Sequence, residues 1–182
     1  SFSRFFKGDH WRNLWITPIK VPVLNLDTYA GGLIPIKKGG GQQTTSLKFL
    51  GKNGKEYKFR SIDKDVRRSL TPDFEESLLA DIMQDQISVT NPAASVIVSN
   101  LMDAVNILNT PPTIYVMPNS KILGDYKDEF AGILGAIEED PEDYNDTNLN
   151  FADADKVVNT YKLFEKLQKD NDEIVDATEF LK

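Results

Sequence analysis

Two runs of alternating apolar residues, 44–50 and 56–62, flank Gly51-Lys52-Asn53-Gly54, and an Asn-Gly pair between such runs is a strong local signal for a β-hairpin. A strand turns successive side chains to opposite faces, so Tyr57 and Phe59 share one face of the second strand while Lys58 and Arg60 share the other. Gly39-Gly40-Gly41 and Gln42 lead into this hairpin. A glycine turn over a sheet that presents cations is one way of holding phosphate groups, through backbone N–H groups and positive side chains. An ordinary hairpin with a loose approach has the same pattern, and both readings stand at this point.

Composition narrows the chemistry. The 182 residues contain no cysteine and one histidine, His10, which excludes disulfides, thiolate nucleophiles and cysteine-based zinc sites and leaves no material for a histidine-rich metal centre. An enzyme of this composition works through carboxylates, lysine, arginine, backbone amides or carboxylate-held magnesium, the tools of phosphoryl transfer. Residues 1–70 hold 14 Lys or Arg against 5 Asp or Glu, net +9, and residues 71–182 hold 7 against 23, net −16. The basic part can attract an anion, or the two parts can neutralise each other in the fold. Basic residues are not interleaved with aromatics along any stretch, so nucleic acid is not an expected partner, and no apolar run approaches the ~18 residues of a membrane span.

Phe5, Phe6, Trp11 and Trp15 crowd the opening of the chain, which predicts a short helix or arm folded back on the body. Residues 17–26 alternate as a strand that Pro18 and Pro22 confine to an edge or make irregular. Thr71-Pro72 with Asp73, Glu75 and Glu76 reads as a helix start, with Phe74, Leu78, Leu79, Ile82 and Met83 as its buried stripe up to Gln86. A second helix is expected from Asn91-Pro92 to Val105, a buried strand over 113–117, and either strand or helix over 130–137. Eight carboxylates without a base between Glu138 and Asp155 read as a solvated loop, and 153–169 as a helix. Asp176-Ala177-Thr178-Glu179 fits a helix start three residues from the last residue, which predicts a fragment of a longer protein.

Several clusters together carry a resemblance: His10-Trp11-Arg12 with Trp15, residues 17–24, Gly31-Gly32-Leu33, residues 39–44, Phe59-Arg60-Ser61, Asp63-Lys64-Asp65, Asp85-Gln86-Ile87-Ser88, Leu123-Gly124, Phe130-Ala131-Gly132 and Glu138-Glu139-Asp140-Pro141. The pattern resembles a region of large Gram-negative bacterial proteins in which it is often joined to a calcineurin-like phosphoesterase or an outer-membrane barrel. The segment that follows in that family is similar to the catalytic loop of atypical kinases such as the phosphoinositide and HipA-like kinases. The resemblance implies an α+β fold, a small and mostly antiparallel sheet with flanking helices like a protein-kinase N-lobe over 1–150, and a helical segment over 151–182 leading to a C-terminal lobe. It implies ATP and magnesium as cofactors of the full-length protein, no turnover by 1–182 alone, and a periplasmic or cell-envelope location. By position it makes Gly39, Gly40, Gly41 and Gln42 the phosphate-covering turn, and puts Arg60 where the phosphate-pairing lysine is expected, with Lys58 and Lys64 as rivals. Asp85 becomes the helix carboxylate that pairs with that cation. The other expectation is a non-enzymatic interaction or scaffold domain of a cell-envelope protein.

Overall fold

A computed structural model describes residues 8, 10–39, 44–65, 77–141 and 157–169, with residue 79 described by its backbone only. In chain order its elements are helix α1 (Arg12–Trp15), strands β1 (Leu33–Gly39), β2 (Ser46–Gly51) and β3 (Glu56–Ser61), helices α2 (Leu78–Ile87) and α3 (Ala94–Ala104), strand β4 (Thr113–Val116), helix α4 (Lys127–Phe130), strand β5 (Leu134–Glu139) and helix α5 (Thr160–Lys169). The fold is α+β. The five strands form one antiparallel sheet in the order β1-β2-β3-β5-β4, so β5 enters between β3 and β4, and β1 and β4 are its edges.

Alternation in the hairpin decides which face is the core. Leu47 opposes Phe59 and Phe49 opposes Tyr57 across β2 and β3, and Phe59 opposes Ile137 on β5. All five are buried, together with Leu24 and Leu26 from the segment before β1, Leu33 at the start of β1, and Met117, Leu123 and Phe130 from the segment between β4 and β5. Burying side chains of this size is the main stabilising contribution, about 1.5–3 kcal/mol for each relative to exposure. Tyr29 sets its ring edge-on to Tyr57 and Tyr115, with centroids 5.4 and 6.0 Å apart. The Phe59 ring lies over Gly135: a Cβ there would stand 2.2 Å from Phe59 Cζ, so only glycine fits.

The opposite face carries Ser46, Lys48, Lys58, Arg60, Ala136 and Glu138, which follow from the same cross-strand pairs one residue out of step. The hairpin turn is closed by Gly51 N–H donating to the Lys55 carbonyl at 2.9 Å, and Gly54 adopts φ +81°, a left-handed conformation that glycine takes without strain.

Several elements depart from expectation. Residues 17–26 are not a strand: Pro18 and Pro22 lack the N–H a ladder needs, and what remains is one parallel bridge between Val23 and Val116. The first strand is β1, where Pro35 is tolerated because β1 is an edge and its register slips between Pro35 and Lys37. Helix α2 starts at Ser77, extended, with its hydroxyl accepting from Ala80 N–H; the expected start at Thr71-Pro72 lies outside the described residues. Of the buried stripe assigned to α2, Leu78 and Ile82 face solvent and Met83 is half-buried, while Phe74 and the Leu79 side chain lie outside what is described; among the described side chains of α2, Ala80 is the buried one. Strand β4 is a half-buried edge strand in place of a buried one. Residues 130–137 resolve into the end of α4, a turn and most of β5. Glu138 and Glu139 close β5 and do not belong to a solvated loop, while 142–156 lie outside the described residues.

Candidate functional site

A cleft of about 750 Å³ opens between the polar face of the sheet, the α1 segment and the turn joining α2 to α3. Leu14, Trp15, Ile19, Ile62, Ile114 and Leu134 make its apolar walls. A second hollow shares Trp15, Ser61, Ile62, Lys64 and Pro92 with it and adds Thr44, Arg60, Ala136 and Glu138. The sheet register explains the arrangement. Gly39 pairs with Ser46, Ser46 with Arg60, Arg60 with Ala136 and Ala136 with Ile114, so the glycine turn leaves β1 from the same cross-sheet row that carries Arg60 into the cleft. Gly39 is described; Gly40, Gly41 and Gln42 lie outside the described residues. Ser61 holds this end of the hairpin: its N–H donates to Thr45 O at 2.9 Å, its hydroxyl donates to Asp63 O at 2.8 Å and accepts from Thr45 N–H at 3.2 Å.

The charged face is a lattice of ion pairs rather than a bare cationic surface. Lys48 and Lys58 are direct cross-strand neighbours, a repulsive placement that Asp140 resolves by standing 2.7 Å from one ammonium and 3.4 Å from the other. Lys48 also meets Glu56 at 3.1 Å, Lys55 meets Glu139 at 2.8 Å, and Arg60 Nε lies 3.3 Å from Glu138. Each carboxylate of 138–140 therefore answers a cation on or beside β3. Lys58 is taken up by Asp140 and lines neither hollow, whereas Lys64 lines both and Arg60 lines the second. Among the described residues Lys64 has no ion-pair partner, and its carbonyl accepts from Gln84 Nε2 at 2.7 Å, which fixes its backbone against α2.

Asp85 does not meet the strand cation. It sits in the last turn of α2 and accepts a two-pronged bond from Arg12, Nη1 to Oδ1 at 2.9 Å and Nη2 to Oδ2 at 2.7 Å. Helix α2 points Gln84, not Asp85, toward β3, because adjacent helix positions face about 100° apart. Trp15, Gln84 and Glu138 are cleft residues that the sequence did not single out; the aromatic density of the first fifteen residues was the signal available for Trp15.

Tyr29 and Lys55, both at the hairpin end of the sheet, have perturbed ionisation. Burial, then the neighbouring Tyr57 and Tyr115, pushes the Tyr29 phenol up to about 12, and the hydrogen bond to Glu139 raises Lys55. Neither lines the cleft. At the cleft, two cations, Arg60 and Lys64, stand among three carboxylates, Asp63, Asp65 and Glu138. Among the described residues no group of three or more His, Cys, Asp or Glu could hold a metal ion, so this part of the chain offers magnesium at most one or two carboxylates beside a ligand's own phosphates. No helix among the described residues is long and apolar enough to cross a membrane. No protein-family model, curated protein or solved structure matches the chain.

Proposed function

We propose that the cleft binds a nucleotide as its magnesium complex, and that the chain is the nucleotide-binding lobe of a kinase-like phosphotransferase whose remaining catalytic groups lie in another lobe. One observation carries this reading: an apolar cleft bordered by Lys64, which it shares with an adjoining hollow lined by Arg60 and Thr44. Its volume falls within the range of about 300–1,000 Å³ typical of small-molecule sites, which combine apolar walls with a few placed polar groups. The base lies in the apolar half and the phosphates at Arg60 and Lys64. Asp63 and Glu138, which border the two hollows beside Lys64 and Arg60, favour a polyphosphate that arrives with its metal, whose charge they complement. The described elements from β1 to α3, a strand, a hairpin with a basic second strand and then helices, support this reading, while most of the glycine stretch lies outside the described residues. Periplasmic or envelope location rests on that resemblance alone.

Titration with Mg-ATP, followed by tryptophan emission, tests the reading. Saturable binding is expected, with Lys64→Met and Arg60→Met each weakening it about tenfold, equivalent to about 1.4 kcal/mol for one charged contact. No binding by the wild-type chain, or affinity indifferent to both substitutions, refutes it.

A second reading, a non-enzymatic interaction domain, draws on a different observation. Ile97, Val98, Leu101 and Val105 are exposed along one helix, α3, and apolar residues so grouped are a feature of docking surfaces.

A further inference from the structure

We propose that Trp15 is the aromatic wall against which the base of the nucleotide lies, and that Arg12 is a positioning residue that holds it there. The inference rests on the nucleotide reading and names the part of the chain that would recognise the base.

Trp15 borders both hollows of the cleft, the apolar one and the one that holds Arg60 and Lys64, so it stands at the junction that a base with attached phosphates must span. Its indole N–H donates to the Thr90 carbonyl at 2.9 Å. With its single polar atom bonded, the half-buried ring is fixed in orientation and offers the cleft an apolar surface, and base-on-aromatic stacking needs nothing more than a planar partner.

A single helical turn cannot hold that ring by itself, because α1 has four residues and no side-chain cap. Its anchor is Arg12, three residues before Trp15 and therefore on the same side of the turn. The guanidinium donates to both Asp85 oxygens, to the Ser88 hydroxyl and, through Nε at 2.8 Å, to the Gly8 carbonyl. Arg12 and Trp15 thus stitch α1 to residues 85–90 at two points, and those residues lead directly into Asn91 and Pro92 of the cleft wall. Asp85 acquires a role here different from pairing with a phosphate-binding cation: it is the fixed end of the clamp.

The test separates base recognition from phosphate recognition by comparing Mg-ATP with magnesium tripolyphosphate, which has phosphates and no base. In a Trp11→Phe background Trp15 is the sole tryptophan, and its emission reports both binding and acrylamide access. Trp15→Leu, followed calorimetrically, is expected to lose on the order of tenfold in Mg-ATP affinity and to leave tripolyphosphate affinity unchanged. Arg12→Gln and Asp85→Asn, two independent ways of opening the clamp, are expected to raise acrylamide quenching of Trp15 and to lower Mg-ATP affinity without altering tripolyphosphate binding. If both probes bind the wild type and Trp15→Leu leaves Mg-ATP affinity intact, the role of Trp15 fails while the nucleotide site stands. If quenching in both clamp variants equals that of the Trp11→Phe parent, Arg12 does not position the ring. If neither probe binds the wild type, the nucleotide reading itself fails and the role of Trp15 fails with it.

Discussion

Gly135→Ala is the substitution whose cost follows most directly from the packing. A Cβ at this position stands 2.2 Å from Phe59 Cζ, 2.5 Å from Phe59 Cε1 and 2.6 Å from the Arg60 carbonyl oxygen. Carbon atoms pack at about 3.5–4.0 Å, so the ring must withdraw by at least roughly 1.3 Å. Phe59 is fully buried in the core cluster, so its ring withdraws only against other core side chains, and Arg60 belongs to the sheet ladder between β3 and β5. The clash therefore falls at the upper end of overpacking costs, about 3 kcal/mol. Against a typical domain stability of about 5–15 kcal/mol this is a large fraction, and for a chain of this length it lowers the melting midpoint by roughly 6–12 °C. Urea unfolding followed by tryptophan emission should show the midpoint falling at an unchanged m-value, since the substitution alters packing and not the surface exposed on unfolding. Phe59→Leu removes both clashing ring atoms at its own cost of about 1–2 kcal/mol. The double variant should therefore lose clearly less than the two singles added together. A wild-type midpoint for Gly135→Ala, or strict additivity with Phe59→Leu, refutes the packing argument.

Asp140→Asn leaves Lys48 and Lys58 opposed without their shared counter-charge; a loss of about 2 kcal/mol is expected, between the values for exposed and buried pairs, shrinking as salt is added to a urea titration. Ser77→Ala removes the hydroxyl that accepts from Ala80 N–H and should cost about 1 kcal/mol in the same assay, with far-UV circular dichroism showing α2 fraying. In alkali, the folded state holds the Tyr29 proton to about pH 12 while the unfolded chain releases it near 10, so the folded state binds more protons between these values. The contribution is intact below pH 10 and is lost as pH rises toward 12; Lys55, also raised, adds loss of the same sign. Tyr29→Phe should remove a phenol that ionises near pH 12 from an absorbance titration and flatten that alkaline decline, and an unchanged titration refutes the assignment.

The hairpin was legible because its determinants are local. Leu47, Phe49, Tyr57 and Phe59 declare one face by alternation, Asn53-Gly54 declares the turn, and both signals act within a dozen residues. Helix α3 was legible in part: expected from Asn91-Pro92, it starts at Ala94, after a turn in which the Asn91 side chain accepts from Ala93 N–H at 2.9 Å. The edge strand β1 was not legible, since Pro35 and the bracketing glycines contradict strand propensity and only pairing with β2 overrides them. The candidate site was half legible. Arg60 and Lys64 reach the cleft, but Lys58 and Asp85 are drawn elsewhere by Asp140 and Arg12, partners that sequence spacing does not reveal.

Alternation, glycine placement and composition were enough to establish a basic hairpin, the absence of thiol chemistry and a single histidine, because each depends on residue identity and near neighbours. Only the tertiary structure decided that β5 inserts beside β3, and with it which charges cancel. Lys55 and Glu139 are 84 positions apart, and Lys58 and Asp140 are 82. Ion pairing and cleft formation are properties of distance in space, and the chain brings such positions together only after the sheet has closed.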